Sequence, residues 1–234
     1  QSVVITAHLD HLGIGAPING DTIYNGAVDN ATGVSSAIEV ARAFAALPKR
    51  PPRSILVVGV TGEEKGLQGS EYFAHHPTVS IDSIVANVNI DVVNTWWRPY
   101  DIVAEGAEHS SIQRDVDAAL KVLGLKQSPD PEPEQVFFIR SDQYSFVKQG
   151  IPSVHASSGW QGANGDSEKN KATADWWTRN RYHQPSDEWD PKGDYEAMAV
   201  ETRVDFLVAL SLALDPDRPR WNDGDVFGKI FARR

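Results

Sequence analysis

Three short apolar runs of the chain are each followed by an imidazole or a carboxylate. His8 follows the first run, Glu63 and Glu64 follow the second through a Thr-Gly pair, and Asp91 closes the third. Apolar, β-branched runs of this length predict strands buried on both faces, and ligands of open α/β sheets gather beyond the carboxyl ends of such strands. Neighbouring side chains on extended backbone point to different sides, so one of the two glutamates can bind a metal while the other faces a bound water. The residue types and their spacing therefore predict a metal site at one sheet edge.

Three further residues extend this set. Asp10 lies two residues after His8, where its carboxylate can accept the second ring N–H of that histidine and fix its tautomer. Asp29 is either a ligand or the N-cap of the helix that follows it. His183 lies in a loop and offers a second imidazole. Two imidazoles and three carboxylates, one of them bridging, suit paired zinc, manganese or cobalt ions roughly 3.5 to 4 Å apart.

The elements that must position these residues alternate along the chain. Strands are predicted over Val3–Ala7, Ser54–Val60 and Ile84–Ile90, and apolar residues at helical spacing predict a helix over Asn30–Leu47 between the first two. A strand-helix-strand order indicates a mostly parallel sheet covered by helices. The fold class is therefore α/β.

The remaining patterns predict further elements and three irregular segments. The predicted helices are Ile112–Leu123, Gln143–Lys148 and Tyr195–Leu214, and the predicted strands are Val136–Ile139 and Pro152–Ala156. The predicted loops are Asn19–Gly26 and Gly159–Arg181, followed at the end by an extended surface tail over Asp215–Arg234.

Composition excludes several classes of function. A formal charge of -10 disfavours a nucleic-acid partner, because such binding needs clustered Lys and Arg. The chain has no cysteine, so a zinc site here must use His, Asp and Glu. No apolar run approaches the roughly 20 residues of a membrane span. The length favours one catalytic domain over residues 1–234, and a chain that opens directly in a core strand is expected to be a fragment of a longer one.

Six strings in this order resemble the co-catalytic zinc aminopeptidases, a family that includes bacterial leucyl-type aminopeptidases, glutamate carboxypeptidase and glutaminyl cyclases. The strings are AHLDH, GAVDNATG, VTGEEKGLQGSEYFA, NIDVV, RSDQYSF and YHQPSDEWD, and they extend over nearly the whole chain. The resemblance implies a three-layer αβα sandwich with a mixed sheet.

The resemblance also implies a role for each candidate residue. Asp29 would bridge two Zn²⁺ ions, with Mn²⁺ or Co²⁺ as possible substitutes. His8 and Asp91 would complete one site, Glu64 and His183 would complete the other, and Glu63 would be the general base. The substrates would be peptides with a free N-terminus. Relatives of this kind often carry an upstream protease-associated domain, and the family suggests a periplasmic or secreted location.

One position departs from the family pattern. Some relatives place a tyrosine shortly before the Ser-Asp motif to stabilise the tetrahedral intermediate, whereas Phe138 stands at the comparable position here. Arg140 and Tyr144 are the candidate replacements. Among the tryptophans, Trp160 is the best candidate to line a substrate cleft, because its loop follows a strand and precedes His183.

Three alternative functions fit parts of the same pattern. A carboxypeptidase or dipeptidase would need a basic cluster for a C-terminal carboxylate, and those with a lid domain need a longer insertion before His183. A glutaminyl cyclase would use one zinc on this scaffold. A catalytically inactive receptor-like module would have lost ligands, whereas every candidate ligand is present here.

Overall fold

A six-stranded sheet with helices on both faces forms the body of the protein, which a computed structural model describes over residues 1–232. The strands are β1 (Ser2–His8), β2 (Gly13–Ile18), β3 (Asp21–Tyr24), β4 (Ser54–Val60), β5 (Ile84–Asn89), β6 (Asp101–Glu105), β7 (Lys126–Gln127) and β8 (Ser153–Ser158). The helices are α1 (Gly33–Ala45), α2 (Gln68–His75), α3 (Gln113–Leu123), α4 (Gln143–Val147), α5 (Ser167–Asn180), α6 (Tyr195–Leu214) and α7 (Val226–Phe231).

The strand order in the main sheet is β4-β1-β5-β8-β6-β7. The first four strands run parallel, β6 runs antiparallel to β8, and β7 runs parallel to β6. Strands β2 and β3 form a separate antiparallel hairpin. The α/β prediction with a mostly parallel, mixed sheet is confirmed.

Strand β1 lies between β4 and β5, and all seven of its residues are buried. Successive side chains of a strand point to opposite faces. Val3 and Ile5 therefore enter the larger apolar core, with residues of α1, α3 and α6, while Val4 enters a smaller core with Phe146 of α4. Helices α2 and α4 pack together on this second face, which gives the three predicted layers.

Helix α6 has the predicted bounds and buries two carboxyl groups along with its apolar residues. Glu201 and Asp205 are each 1% exposed. Ser158 of β8 donates a hydrogen bond to Glu201, which ties the helix to the sheet. Burial raises the pKa of Glu201 to about 7 and raises the pKa of Asp205 well above its usual value.

The strand predicted over Val136–Ile139 was wrong. Residues Phe137–Ile139 form a tight 3-10 turn, and Val136 before them has a positive φ of 49°. Phe138 is buried against the rings of His109 and Phe227. Ring packing therefore buries Phe138, while the other three residues of the run stay exposed.

Both predicted loops contain regular structure. The loop over Asn19–Gly26 includes strand β3, whose side chains alternate between exposed and half-buried. The loop over Gly159–Arg181 includes helix α5, where the Asp166 carboxylate accepts a hydrogen bond from the Lys169 N–H and so caps the helix. The polar composition indicated a loop in both cases. The first segment instead forms a strand because it pairs with β2, and the second forms a helix that begins with an N-cap.

The tail over Asp215–Arg234 lies on the surface as predicted, as far as residue 232, but it is not wholly extended. It includes helix α7, and the Arg218 guanidinium donates to the main-chain oxygens of Asp82 and Ile84. The last two residues of that prediction lie outside the described part of the chain. Strand β6 and helix α2 had no counterpart in the sequence analysis. Within residues 1–232, no helix combines the length and apolar character of a membrane span.

We predict that Glu201→Gln removes a pH dependence of the fold. The pKa of Glu201 is raised from 4.5 to about 7 in the folded state, so the folded protein holds this proton more tightly than the unfolded chain does. The resulting contribution to folding stability is lost as the pH rises from about 4.5 to about 7. Between pH 5 and pH 8, the parental protein should lose about 3 kcal/mol of unfolding free energy through this group. The Glu201→Gln variant should not show this loss. The measurement is urea unfolding of the metal-free proteins.

The exposed Glu196→Gln on the same helix is the matched control and should keep the parental pH dependence. Equal slopes of unfolding free energy against pH for Glu201→Gln and the control would contradict the assignment.

Candidate metal centre

The seven predicted site residues lie at or beside one edge of the sheet. His8 is the last residue of β1, Glu63 and Glu64 follow β4, and Asp91 follows β5. Asp29 lies in the turn that leads into α1, and this turn lies beside the same edge of the sheet. The parallel pairing of β4, β1 and β5 places their carboxyl ends side by side, as the sequence predicted.

A first cluster forms around His8. Its Nε2 lies 3.2 Å from Asp29 Oδ1 and 3.1 Å from Asp91 Oδ1. The three side chains offer ligand atoms within 4.8 Å of one another, which suits a single cation. The geometry agrees with the grouping of His8, Asp29 and Asp91 expected from the resemblance.

A second cluster uses the other oxygen of Asp29. His183 Nε2 lies 3.4 Å from Asp29 Oδ2 and 2.9 Å from Glu64 Oε2. Asp29 thus presents one oxygen to each histidine, which is the arrangement that a bridging ligand requires. His183 itself has a positive φ of 56°.

His11 also belongs to the second cluster, and the sequence analysis assigned it no role. Its Nδ1 lies 2.7 Å from Glu64 Oε1, and it forms a potential cation-binding group with Asp29 and Glu64. The signal was present in the string AHLDH, where a second histidine stands three residues after His8. Spacing alone could not show that the chain turns back after β1.

Buried atoms of the second cluster have no hydrogen-bond partner. They are both ring nitrogens of His11, Oε1 of Glu64 and Nε2 of His183. Unpaired buried polar atoms are costly, and most such atoms in folded proteins have a partner. Imidazole nitrogens and carboxylate oxygens in close proximity are the donor types that suit a divalent cation such as zinc.

The predicted contact between the Asp10 carboxylate and His8 was wrong. The main-chain oxygen of Asp10, and not its carboxylate, lies 2.8 Å from His8 Nδ1 and fixes the tautomer of this histidine. The Asp10 carboxylate accepts the Gly62 N–H at 2.8 and 3.0 Å. Gly62 has a positive φ of 70°, which favours glycine, and it turns the chain directly before Glu63. Asp10 therefore supports both β1 and the glutamate pair.

A second layer of contacts holds Asp91 in place. Ser141 Oγ donates to Asp91 Oδ2 at 2.6 Å, and His155 Nε2 lies 3.1 Å from the main-chain oxygen of Asp91. His155 is held in turn by Glu105. Outer contacts of this kind orient metal-binding groups. Sequence analysis assigned no role to His155 or Glu105, because they come from strands that pair only in the folded sheet.

Asp187 anchors the segment that carries the bridging carboxylate. It is fully buried and accepts the Val28 N–H at 3.1 Å and the Asp29 N–H at 3.0 Å. The motif YHQPSDEWD contains this residue beside His183, but nothing in the sequence linked it to residues more than 150 positions earlier. One short loop thus supplies an imidazole and fixes Asp29.

The carboxylates of both clusters favour positive charge between them. Burial opposes protonation of His8, but hydrogen bonds to Asp29 and Asp91 outweigh it and raise the pKa of His8 to about 12. Asp29 and Glu64 likewise overcome burial and raise the pKa of His183 to about 9. Protons occupy the same lone pairs that cations need, so cation binding at these clusters releases protons.

Glu63 stands beside the clusters with no hydrogen-bond partner of its own among the contacts described. Burial, followed by the negative charge of Asp91, raises the pKa of Glu63 to about 8. A raised pKa in a cleft beside candidate ligands is typical of catalytic acids and bases.

Residues 1–204 match the sequence pattern of peptidase family M28. The chain belongs to this family. The assignment confirms the resemblance to co-catalytic zinc aminopeptidases that six motifs indicated.

Parts of the chain also resemble curated fungal proteins. A probable zinc metalloprotease of Pyrenophora tritici-repentis is 34% identical over 93 residues, which cover 39% of this chain and 18% of that protein. A probable zinc metalloprotease of Leptosphaeria maculans is 41% identical over 71 residues, or 30% of this chain and 16% of that protein. The matched part therefore spans less than a fifth of these relatives.

Solved structures of proteins with different functions share the fold of this chain. The LapA aminopeptidase of Legionella pneumophila has a TM-score of 0.68 at 21% identity, covering 92% of this chain and 52% of its own. A glutaminyl cyclase of Porphyromonas gingivalis has a TM-score of 0.58 at 15% identity, covering 90% of this chain and 72% of its own. At these identities the likeness shows the fold alone.

A cavity of about 260 Å³ opens beside the clusters of this M28 chain. Asp29, Glu63 and Asp91 line it at one end. Aromatic side chains form much of the remaining wall, namely Trp96, Trp97, Phe137, Trp160, Trp177 and Tyr182. The prediction that Trp160 lines the cleft is confirmed.

The two candidates for stabilising an oxyanion lie in different places. Arg140 lines the cavity, whereas the ring of Tyr144 packs against Phe227 and Phe231. Tyr182 also lines the cavity and stacks on His183, with ring centres 3.8 Å apart. Burial, with the charges of nearby carboxylates, raises the pKa of Tyr182, so its hydroxyl keeps the proton needed to donate a hydrogen bond.

We predict that Asp187→Ala weakens both the fold and metal binding. The change leaves the N–H groups of Val28 and Asp29 buried without an acceptor, which should lower the free energy of unfolding by about 3 kcal/mol. Zinc affinity should fall about 10- to 100-fold, since Asp29 loses its support. Chemical unfolding of the metal-free protein and zinc titration calorimetry measure the two effects.

The neighbouring exposed residue provides the control, because Glu188→Ala removes a carboxylate from the same loop without touching Val28 or Asp29. Asp187→Ala with parental stability and zinc affinity would show that this contact is dispensable.

Proposed function

We propose that the chain is a zinc aminopeptidase domain that uses two metal ions to hydrolyse the N-terminal residue from peptides. The observation that carries the proposal is the bridging position of Asp29, whose two carboxylate oxygens face two different histidine-containing clusters. Membership of a peptidase family supports the reaction class.

Each cluster offers a donor set suited to zinc. His8 and Asp91 complete the first with Asp29 Oδ1, and Glu64 and His183 complete the second with Asp29 Oδ2. When bound, such a pair of cations brings the pKa of a water from about 15.7 toward 7 and polarises the substrate carbonyl.

Glu63 acts as general base and then as general acid. Its carboxylate accepts a proton from the attacking water and returns it to the nitrogen of the leaving amine. The pKa of about 8 in the metal-free site falls once positive charge stands nearby, so Glu63 is a carboxylate at neutral pH.

Tyr182 and Arg140 are the donors available to the tetrahedral oxyanion. Both line the cavity that Glu63 also lines. Donors fixed in place before the reaction stabilise developing charge most effectively in a site that excludes water. Stacking on His183 holds the Tyr182 ring in one orientation.

The lining of the cavity supports an exopeptidase activity. The carboxylates of Asp29, Glu63 and Asp91 line the end where a free α-amino group would lie, and aromatic side chains line the wall beyond it. We infer a preference for bulky apolar N-terminal residues, because aromatic surfaces favour apolar side chains and the acidic groups repel Asp and Glu.

The alternatives fit the cavity less well. A carboxypeptidase needs cationic groups for a C-terminal carboxylate, and Arg140 is the single Arg or Lys among the described lining residues. A glutaminyl cyclase with one zinc would not need a second cluster. The zinc count and the products from a peptide with N-terminal glutamine separate cyclase from peptidase.

We expect metal-free protein to regain hydrolysis of leucyl or phenylalanyl p-nitroanilide when Zn²⁺ is added back. The corresponding glutamyl substrate should react at least about 10-fold more slowly. Glu63→Gln should keep the zinc count and lose about 100-fold or more in kcat, since general base catalysis contributes about this much. The exposed Glu39→Gln is the control and should match the parental rate.

Near-parental turnover by Glu63→Gln would refute the base assignment. Release of a C-terminal residue from N-acetylated peptides, with no action on free N-termini, would refute the aminopeptidase proposal itself.

We also expect Tyr182→Phe to lower kcat about 100-fold while KM and zinc content change little. The variant keeps the ring that stacks on His183 and loses one donor to the oxyanion. Steady-state kinetics on the zinc-loaded protein test this. A kcat within two-fold of the parent would leave Arg140 as the sole candidate.

A further inference from the structure

We propose that His11 is a fourth protein ligand of the second cation, together with Asp29, Glu64 and His183. This inference rests on the proposed two-metal site and adds a ligand to one half of it. Its consequence is a pair of unequal sites, one with a single imidazole and one with two.

The burial of His11 is the first observation. The chain around it is exposed or half-buried, with both Leu9 and Asp10 open to solvent, yet only 3% of the His11 side chain is accessible. An imidazole that could lie in water instead points into the site. Such burial is unfavourable unless its polar atoms gain partners.

Neither ring nitrogen of His11 has a hydrogen-bond partner. Nδ1 lies 2.7 Å from Glu64 Oε1, an ion-pair distance, but this contact does not meet the geometry of a hydrogen bond. Glu64 Oε1 also lacks a hydrogen-bond partner. A cation bound by both atoms would account for their close approach and for the missing hydrogen bonds.

Both imidazoles contact the same two carboxylates, those of Asp29 and Glu64. His11 Nδ1 and His183 Nε2 lie 3.9 and 3.4 Å from the same oxygen of Asp29, Oδ2. They face different oxygens of Glu64, at 2.7 and 2.9 Å. Ligand atoms about 2.0 to 2.2 Å from a tetrahedral zinc are roughly 3.3 to 3.6 Å apart, close to the spacing around Asp29.

The orientation of the rings supports the same centre. His11 and His183 meet edge to face, with ring centres 5.4 Å apart and planes at 66°. Tyr182 stacks on the other side of His183, so that this imidazole is held between two rings. At the first cluster the second histidine, His155, contacts the main-chain oxygen of Asp91, and no contact of its ring with the Asp29 or Asp91 carboxylate is among those described.

The extra imidazole changes which metal each cluster prefers. Imidazole suits zinc, cobalt and nickel, whereas carboxylate-rich sites accept manganese and magnesium more readily. We therefore expect zinc to fill the His11 cluster first and the His8 cluster second. Mixed occupancy, with manganese at the His8 cluster, follows from the same difference.

A rival role for His11 is to position Glu64 through an N–H contact without touching the cation. Asparagine distinguishes the two roles, because its amide nitrogen occupies nearly the position of Nδ1 and can donate to Glu64, but it is a poor zinc ligand. His11→Asn should therefore rescue a positioning role and fail to rescue a ligand role.

The experiment compares the parental protein, His11→Asn, His11→Ala and the exposed His75→Asn as control. Zinc binding is measured by calorimetry, and zinc-edge X-ray absorption counts the imidazole ligands. We expect two tight zinc ions in the parent with an average of about 1.5 imidazoles per ion, from three histidines over two ions. Both His11 variants should retain one tight ion and bind the second at least about 100-fold more weakly.

Two zinc ions with about 1.0 imidazole each, or parental zinc affinity in His11→Asn, would overturn the ligand role while leaving the two-metal function intact. A parent that binds fewer than two ions would instead refute the proposed function. The two failures are thus distinguishable by the zinc count of the parent alone.

Discussion

The structure depends on the compensation of buried negative charge at one edge of the sheet. Asp29 and Asp91 lie within about hydrogen-bond distance of His8, and Glu64 stands beside Asp29 in the second cluster, with little access to solvent. Carboxylates in such a setting need positive charge between them, and protons on the histidines supply it in the absence of cations. The proposed pair of divalent ions would satisfy the same need with a larger charge and would give the unpaired polar atoms of the second cluster a partner.

The rest of the fold can be understood as the support for that concentration of charge. Parallel pairing of β1 with β4 and β5 aligns three strand ends, and the two apolar cores hold the sheet between its helical layers. Asp187 fixes the backbone of Asp29 from a loop far along the sequence, and Ser141 and His155 fix Asp91. Contacts of this sort orient metal-binding groups, and here they hold the candidate ligands Asp29 and Asp91 in place.

The sequence was most informative where a local pattern determines the structure. Strand β4 and helix α6 have the predicted bounds, because an uninterrupted apolar run and a capped helical pattern each need no distant partner to be recognised. The strand ends then placed His8, Glu64 and Asp91 together without further information. Six ordered motifs identified the family, and five of them each contain one candidate ligand in its own local setting.

The failures arose where structure depends on distant contacts. Phe138 packs in a cluster of rings rather than in a strand, and β3 exists because β2 lies beside it. The roles of His11 and Asp187 depend on how loops return to the site, which spacing does not encode. The prediction for Asp10 failed for the same reason, because its main-chain oxygen contacts His8 while its carboxylate accepts the N–H of the distant Gly62.

The most direct test of the account is anomalous diffraction at the zinc edge from crystals of the zinc-loaded protein. The account predicts two peaks roughly 3.5 to 4 Å apart, one on each side of the Asp29 carboxylate. A single peak, or peaks away from Asp29, in a preparation that hydrolyses aminoacyl p-nitroanilides would contradict it.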